Sequence, residues 1–295
     1  MSRLLLYAEG VCFEADRKLL ARASPVFADL LRLPGGDAES SIVLAGDTVH
    51  DVKHFLASLA KASAALESNT TSELLGIARL AHKYECDSLA TTSLRLLIDS
   101  IRTSIAPLAI LSETLAIAAR FGPADVAALS AAFLARRDIA TTDPLQVLAA
   151  CDHARVHAPA LQGWALYSLV QRPWRTFRRP LLTPELRTRL LLGETALREL
   201  PDLSWSTIPH TACARAWANA WSESAVTRKV DKIRAWKAAE AFTLKRVAAG
   251  GTATICRRCT AASSKIIRLR IEWLQQNIWL LFDDHGVYFD ADSAP

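Results

Sequence analysis

The spacing of apolar residues constrains the fold of this chain most strongly. Near the N-terminus the spacing is that of β-strands, and along most of the remaining chain it is that of helices. Residues 3–7 and 11–15 are short apolar runs on either side of Gly10, and the second run alternates apolar and polar residues. Such a pair predicts a β-hairpin. The β-branched run at 41–45 predicts a third strand. The remaining segments carry apolar residues mostly at helical spacing, so the chain is predicted to be α+β, with a short sheet flanked by helices and then a mostly α-helical region.

Polar residues placed just before the apolar periods predict where several helices begin. Asp16 and Ser24 are the expected N-caps of two consecutive helices, and Ser72 is the expected cap of a later one. Thr183, which precedes a proline, marks another start. Gly193 is then expected either to be a tolerated interruption of that helix or to end it.

The resulting order is a hairpin, two helices, a strand, a helix and a helical pair. The segments that carry it are VCFEA, RKLLARASPVFADLL, SIVLAGD followed by VHDVKHFLASL, and ELLGIARLAHKYECDSL. In these segments, residues 1–102 resemble the BTB/POZ domain, and LLARASPVFADLL is the most specific match. The resemblance implies a protein-docking domain. The core and docking residues that it implies are Val26, Phe27, Leu30, Phe55 and Tyr84.

Members of that family are typically dimeric adaptors, and some bind a cullin scaffold. The resemblance therefore implies protein partners, among them a second copy of the chain. Asp16 stands where the family usually has histidine, no helix precedes the hairpin, and 61–70 shows no clear edge strand. In the cullin-binding signature a hydrophobic residue lies two positions before a glutamate, but here Asp37 precedes Glu39.

The expected function is that of a non-enzymatic adaptor that binds other proteins. Two alternatives remain open. One is a nuclear transcription regulator whose basic helical half contacts nucleic acid, and the other is a substrate adaptor of a cullin-type ubiquitin ligase.

The distribution of tryptophan divides the chain. All eight tryptophans lie between Trp164 and Trp279. We predict an interaction domain at 1–102, a helical hairpin region at 103–200 and a Trp-rich helical region at 201–295. The second half is similar to the helical tail that follows the domain in BTB proteins of mushroom-forming fungi. The segments that carry this similarity are LLTPELRTRLLLGETAL, HTACARAWANAW and ICRRC.

Two residue pairs in the Trp-rich region have the spacing of metal ligands. His210 and Cys213 are separated by two residues, and so are Cys256 and Cys259. Each pair brings two donors to one ion, and a closed Cys3His set predicts a structural zinc, with Arg257 and Arg258 lowering the thiol pKa values. Metal-free thiols and a redox dithiol are the alternatives at this stage. A disulfide framework is not expected in a chain of this size without a secretory signal.

Charge and missing motifs exclude several classes of function. The net charge is +5, and the one local basic cluster lies at 172–179, which we interpret as a solvated loop, so nucleic acid is not an expected partner. No apolar run reaches the ~18 residues needed to cross a bilayer, and no signal peptide is evident, so we expect a cytoplasmic or nuclear protein without membrane contact.

The motifs of common enzymes are also missing. The sequence contains no Gly-rich phosphate loop, GxSxG or HExxH motif, so neither catalytic residues nor a cofactor other than zinc are predicted. Two histidine pairs and one aspartate pair are interpreted as solvated side chains. They are His50 with His54, His153 with His157, and Asp283 with Asp284.

Overall fold

The computed structural model of the protein describes residues 3–33, 41–60, 66–103, 107–172, 182–200, 205, 208–223, 231–248 and 255–282. The chain divides into two compact units, 1–158 (unit 1) and 159–295 (unit 2). The three predicted regions remain a prediction. The described residues are mostly helical and include one three-stranded sheet, so the α+β class is confirmed. No helix among them is long and apolar enough to cross a membrane.

Unit 1 contains the sheet and eight helices within the described residues. Its elements are β1 (Arg3–Ala8), β2 (Val11–Asp16), α1 (Arg17–Ala23), α2 (Pro25–Leu30), β3 (Ser41–Val43), α3 (Val49–Leu59), α4 (Thr71–Lys83), α5 (Asp87–Thr103), α6 (Leu108–Phe121), α7 (Pro123–Leu134) and α8 (Pro144–Ala154), with a 3-10 turn at Ile139–Thr141.

Unit 2 is helical throughout its described part. Its elements are α9 (Pro159–Val170), α10 (Pro184–Glu199), α11 (Thr211–Glu223), α12 (Lys232–Ala248) and α13 (Arg257–Asn277), followed by a 3-10 turn at Ile278–Phe282.

The predicted hairpin and third strand are present, but the position of the third strand beside the hairpin was not predictable from local pattern. β1 pairs with β2 in antiparallel fashion through a two-residue turn. Both turn residues, Glu9 and Gly10, have positive φ values of 46° and 80°, as a type I′ turn requires. β3 pairs with β1 in parallel, so β1 is the central strand of the order β2-β1-β3. The carboxylate of Glu9 accepts a hydrogen bond of 2.9 Å from the N–H of Val49, which fixes the start of α3 against the turn.

One face of the sheet packs on the core of unit 1. Leu4, Leu6 and Ala8 of β1 are buried there. The ring of Tyr84 stacks on Phe27, with ring centres 4.6 Å apart, and lies 5.9 Å from Phe55. Strand residues and helix residues therefore share a continuous apolar interior.

Several helix caps agree with the sequence, and one does not. The side chains of Asp16, Ser24 and Thr183 accept hydrogen bonds from the first-turn N–H groups of their helices, as predicted. The prediction for α4 is wrong, because its cap is Thr70 and not Ser72. Thr70 and Glu73 form a reciprocal capping box, since each side chain accepts a hydrogen bond from the backbone of the other.

Gly193 was expected either to be tolerated within a helix or to end it, and the first alternative is confirmed. α10 continues through it to Glu199. A Cβ atom at position 193 would lie 2.0 Å from Cδ1 of Phe282, so glycine here permits close packing of α10 on the 3-10 turn. Gly163 of α9 has the same role, since a Cβ atom there would lie 2.6 Å from Ile278.

Candidate metal centre

The two predicted ligand pairs occupy equivalent positions at the starts of two helices. His210 immediately precedes α11, and Cys256 is the N-cap of α13. Cys213 and Cys259 are each the third residue of their helix. An N-cap side chain and the side chain three residues later meet at the end of a helix, which is the geometry that a capping box also uses. The spacing of two intervening residues therefore brings both donors of each pair to one point.

Packing in unit 2 brings these two helix starts together. α11 and α13 contact each other, and α12 packs against both. Nδ1 of His210 lies 3.4 Å from Sγ of Cys256, 3.5 Å from Sγ of Cys259 and 4.0 Å from Sγ of Cys213. All four donor atoms lie within 4.8 Å of one another.

The donor distances fit a tetrahedral metal ion. Zinc–sulfur bonds of ~2.3 Å and zinc–nitrogen bonds of ~2.0 Å place sulfur and nitrogen ~3.5 Å apart around one ion. The separations of 3.4 Å and 3.5 Å match that value, and the 4.0 Å separation needs only a small rotation of Cys213. Among the described residues this is the single group of three or more His, Cys, Asp or Glu side chains that could bind a metal ion.

The surroundings of the cluster are apolar on one side and open on the other. Cys213 and Cys259 are buried, Cys256 is partly exposed and His210 is exposed. Trp217 and Trp221 of α11 are buried one and two turns beyond Cys213. Trp205 packs against both rings, at 5.8 Å and 5.2 Å between ring centres. The cluster thus lies at the edge of the tryptophan core.

The thiols of the second pair differ in acidity. The pKa of Cys256 is lowered to about 6, chiefly because the backbone N–H of Cys259 donates a hydrogen bond to its sulfur. Burial raises the pKa of Cys259. Arg257 and Arg258 were expected to lower the thiol pKa values, but they are not among the groups that do so for Cys256. Both arginines are exposed to solvent. A helix N-terminus supplies the N–H groups that favour thiolate.

The BTB/POZ resemblance implied five core and docking residues. Some of them lie in the interior of unit 1 and others lie nearer its surface. Phe27, Phe55 and Tyr84 meet in the core, and Val26 packs partly buried against it. Leu30 is 37% exposed at the end of α2. The structure therefore brings the three aromatic residues together as core residues, and only Leu30 presents substantial surface.

Surface residues that sequence reasoning missed lie on the outer face of the sheet. Leu5 and Tyr7 of β1 alternate with the buried residues and face away from the core. Tyr7 pairs with Cys12 on one side and with Val43 on the other. Val43 is 73% exposed. The run RLLLY is apolar at both alternating positions, which was the available signal for a second apolar face.

The polar candidates have different outcomes. His153 and His157 are exposed, as predicted. His50 is exposed, but His54 is partly buried and its Nε2 lies 3.5 Å from Oε1 of Glu73, so the prediction of a solvated side chain is wrong for His54. The remaining candidates fall outside the described residues. They are Asp37 and Glu39, the basic residues at 175–179, and Asp283 with Asp284.

Comparison of the chain with protein-family models, with curated proteins and with solved structures finds no match.

Proposed function

We propose that this chain is a non-enzymatic protein-interaction protein, with a BTB/POZ-like docking domain in unit 1 and a structural zinc in unit 2. The observation that supports the docking function is the outer face of the sheet, where Val43 is 73% exposed beside the partly buried Leu5 and Tyr7. The order of strands and helices, a hairpin followed by two helices, a strand and further helices, supports the BTB/POZ-like assignment.

The outer sheet face has the composition of an interface centre. Leu5, Tyr7 and Val43 lie across neighbouring strands without a covering helix among the described elements that contact the sheet. Aromatic and aliphatic anchors with few charges are typical of the centre of protein interfaces. Arg3 and Glu14, which form an exposed ion pair of 2.8 Å, lie near one end of this face as a polar rim.

Unit 1 also contains a groove with ionisable walls. It has a volume of about 660 Å³ and lies beside the segment between β3 and α3. Two of its ionisable groups, Lys83 and Asp47, form an ion pair. Lys83 donates to Asp47 at 2.7 Å and to the carbonyl of Ala45 at 3.1 Å, and the hydroxyl of Tyr84 donates to Asp47. These groups therefore tie the β3–α3 segment to α4.

A single charge on the sheet face tests the docking function. Val43→Glu places a carboxylate at the centre of the proposed interface, and Leu191→Glu makes the same change at a 56% exposed leucine of α10. We expect Val43→Glu to lose the partners recovered by affinity purification, or the dimer seen by light scattering, while Leu191→Glu retains them. Equal recovery of partners by both variants, with both correctly folded, would contradict the proposal.

The proposed zinc is structural because its ligand set is complete. Three thiolates and one imidazole close a tetrahedral site and leave no position for a substrate or a reactive water. We also propose that the protein resides in the cytoplasm or the nucleus, where reduced thiols persist; the six free cysteines agree with this proposal.

Metal analysis tests the zinc. The purified protein should contain one zinc per chain, and exchange for Co²⁺ should give the absorption bands of tetrahedral thiolate coordination. Cys256→Ser should lose the metal, whereas Cys12→Ser, at an exposed cysteine of β2, should retain it. A metal-free protein with an unchanged fold would contradict the assignment.

A further inference from the structure

The two units carry charge of opposite sign. Residues 159–295 contain 20 of the 35 Lys and Arg residues but only 12 of the 30 Asp and Glu residues, which gives a net charge of +8. Residues 1–158 carry a net charge of −3 on the same count. The moderate charge of the whole chain therefore conceals a strongly basic unit 2. Such an asymmetry is typical of chains in which one part binds a polyanion.

The exposed face of α13 concentrates part of this charge. The buried residues of α13, which include Cys259, Ile267 and Leu274, define its inner face. Four exposed cations lie on the opposite face, within an arc of ~100° at ~100° per residue. They are Arg257, Arg258, Lys265 and Arg268. No acidic residue occurs between 257 and 271.

Among the described residues, no carboxylate forms an ion pair with any of these four cations. Nε of Arg268 donates a hydrogen bond of 3.2 Å to the carbonyl of Ser264 within the helix. The face continues with Glu272 and then with Gln275 and Gln276, which are exposed. Polar amides and cations together are the groups that contact phosphates and sugars.

The length and polarity of this face select the class of partner. From Arg257 to Arg268 the helix rises ~16 Å at ~1.5 Å per residue, long enough to follow several phosphates of one strand. A helix that inserts into a membrane surface requires a broad apolar face. On the exposed side of α13 only Leu269 is a large exposed apolar residue. The surface therefore fits a regularly spaced polyanion better than a lipid headgroup layer.

We propose that the exposed face of α13 binds the phosphodiester backbone of a nucleic acid. Arg257, Arg258, Lys265 and Arg268 contact the phosphates, and the buried face anchors the helix in unit 2. The proposed zinc does not itself contact the nucleic acid in this proposal, because Lys265 and Arg268 lie two to three helical turns from the metal ligand Cys256. It also goes beyond the docking function proposed for unit 1.

The experiment measures binding of the full-length, metal-loaded chain to fluorescent duplexes of about 20 base pairs by anisotropy, as a function of salt. Duplex DNA and duplex RNA of one sequence form separate arms, so the two sources of phosphodiester are distinguished. We expect binding at 50 mM salt that weakens steeply as salt rises, because each phosphate contact releases counterions.

Two variants locate the contacts. Lys265→Gln with Arg268→Gln removes two cations of α13 away from the metal ligands, and Lys18→Gln with Lys53→Gln removes two exposed cations of unit 1. The α13 variant should bind at least ~10-fold more weakly at 50 mM salt, with a slope of log K against log salt reduced by about two. The unit 1 variant should bind like the unaltered protein. Circular dichroism and zinc content check that both variants are folded.

Three results would overturn the proposal. The first is no anisotropy change with either duplex at low salt, up to ~100 μM protein, where even non-specific binding is measurable. The second is an equal loss of affinity in both variants. The third is binding to phosphatidylserine vesicles, lost in the α13 variant, without binding to either duplex, which would assign the surface to a membrane.

Discussion

Unit 1 buries a continuous apolar core around Phe27, Phe55 and Tyr84, whereas α11–α13 of unit 2 bury tryptophans beside four metal-type ligands. α12 and α13 are also rich in cations. A polar helical region has less apolar area to bury, and a metal ion can supply the missing free energy by joining distant segments. The comparison indicates that the two units depend on different interactions and should fail under different perturbations.

Loss of the metal should cause the largest loss of stability, and this loss should be confined to unit 2. Binding of structural zinc contributes ~10 kcal/mol or more to folding in small zinc modules. All eight tryptophans lie between 164 and 279, so their fluorescence reports on unit 2 alone. Chelation, or Cys259→Ser, should shift tryptophan emission to longer wavelength as the buried rings meet water. Cys12→Ser is the matched control. Unchanged emission after complete removal of zinc would show that unit 2 does not depend on the metal.

Truncating a side chain in the core of unit 1 should destabilise unit 1 and leave unit 2 unchanged. Phe27→Ala removes a fully buried ring that stacks on Tyr84 and should lower the free energy of unfolding by ~3–5 kcal/mol. Chemical denaturation followed by circular dichroism should show this loss, while the tryptophan signal of the metal-loaded protein keeps its midpoint. Leu30→Ala, at a partly exposed site of the same helix, should cost less than ~1 kcal/mol. A similar loss from both substitutions would show that α2 is not part of a packed core.

Overpacking tests the part of unit 2 that does not depend on the metal. Gly193→Ala places a methyl group against Phe282 and should destabilise the protein by ~1–3 kcal/mol, although alanine favours helix. Thermal unfolding monitored by tryptophan fluorescence measures the loss. Adding Phe282→Leu should recover part of it. If Gly193→Ala instead raises the melting temperature, α10 does not pack closely on the 3-10 turn.

The smallest expected effect distinguishes two neighbouring residues of unit 1. Thr70→Ala removes half of the capping box of α4 and should cost ~1 kcal/mol, because the backbone N–H of Glu73 loses the Thr70 hydroxyl that accepts its hydrogen bond. Ser72→Ala, two residues later, should change stability by less than ~0.5 kcal/mol. Denaturant titration of the two variants measures the difference, and the reverse order of effects would restore Ser72 as the cap.

Local signals in the sequence predicted a large part of the fold. The hairpin around Gly10 and the caps Asp16, Ser24 and Thr183 follow from a few consecutive residues, because turn and cap geometry is local. The cap of α4 was misassigned since Thr70 and Ser72 are both chemically suitable. Only the position of the first helical turn distinguishes them, and packing sets that position.

The candidate metal site was predictable as two pairs but not as one site. Three-residue spacing at a helix start determines each pair locally, whereas the meeting of His210 with Cys256 joins residues 46 positions apart. The basic face of α13 was hidden for a related reason. Its cations are spread over residues 257–268, and only a helix turns them to one side.

By itself, the sequence determined the α+β fold class, most of the places where the chain turns and helices begin, and the residue types that could bind a metal ion. Each of these depends on short-range backbone geometry and on side-chain chemistry. The tertiary structure alone decided that β3 lies beside β1, that Gly193 packs on Phe282 and that two helix starts converge in unit 2. These arrangements depend on the free energy of burying surface between segments distant in sequence, which no local pattern encodes.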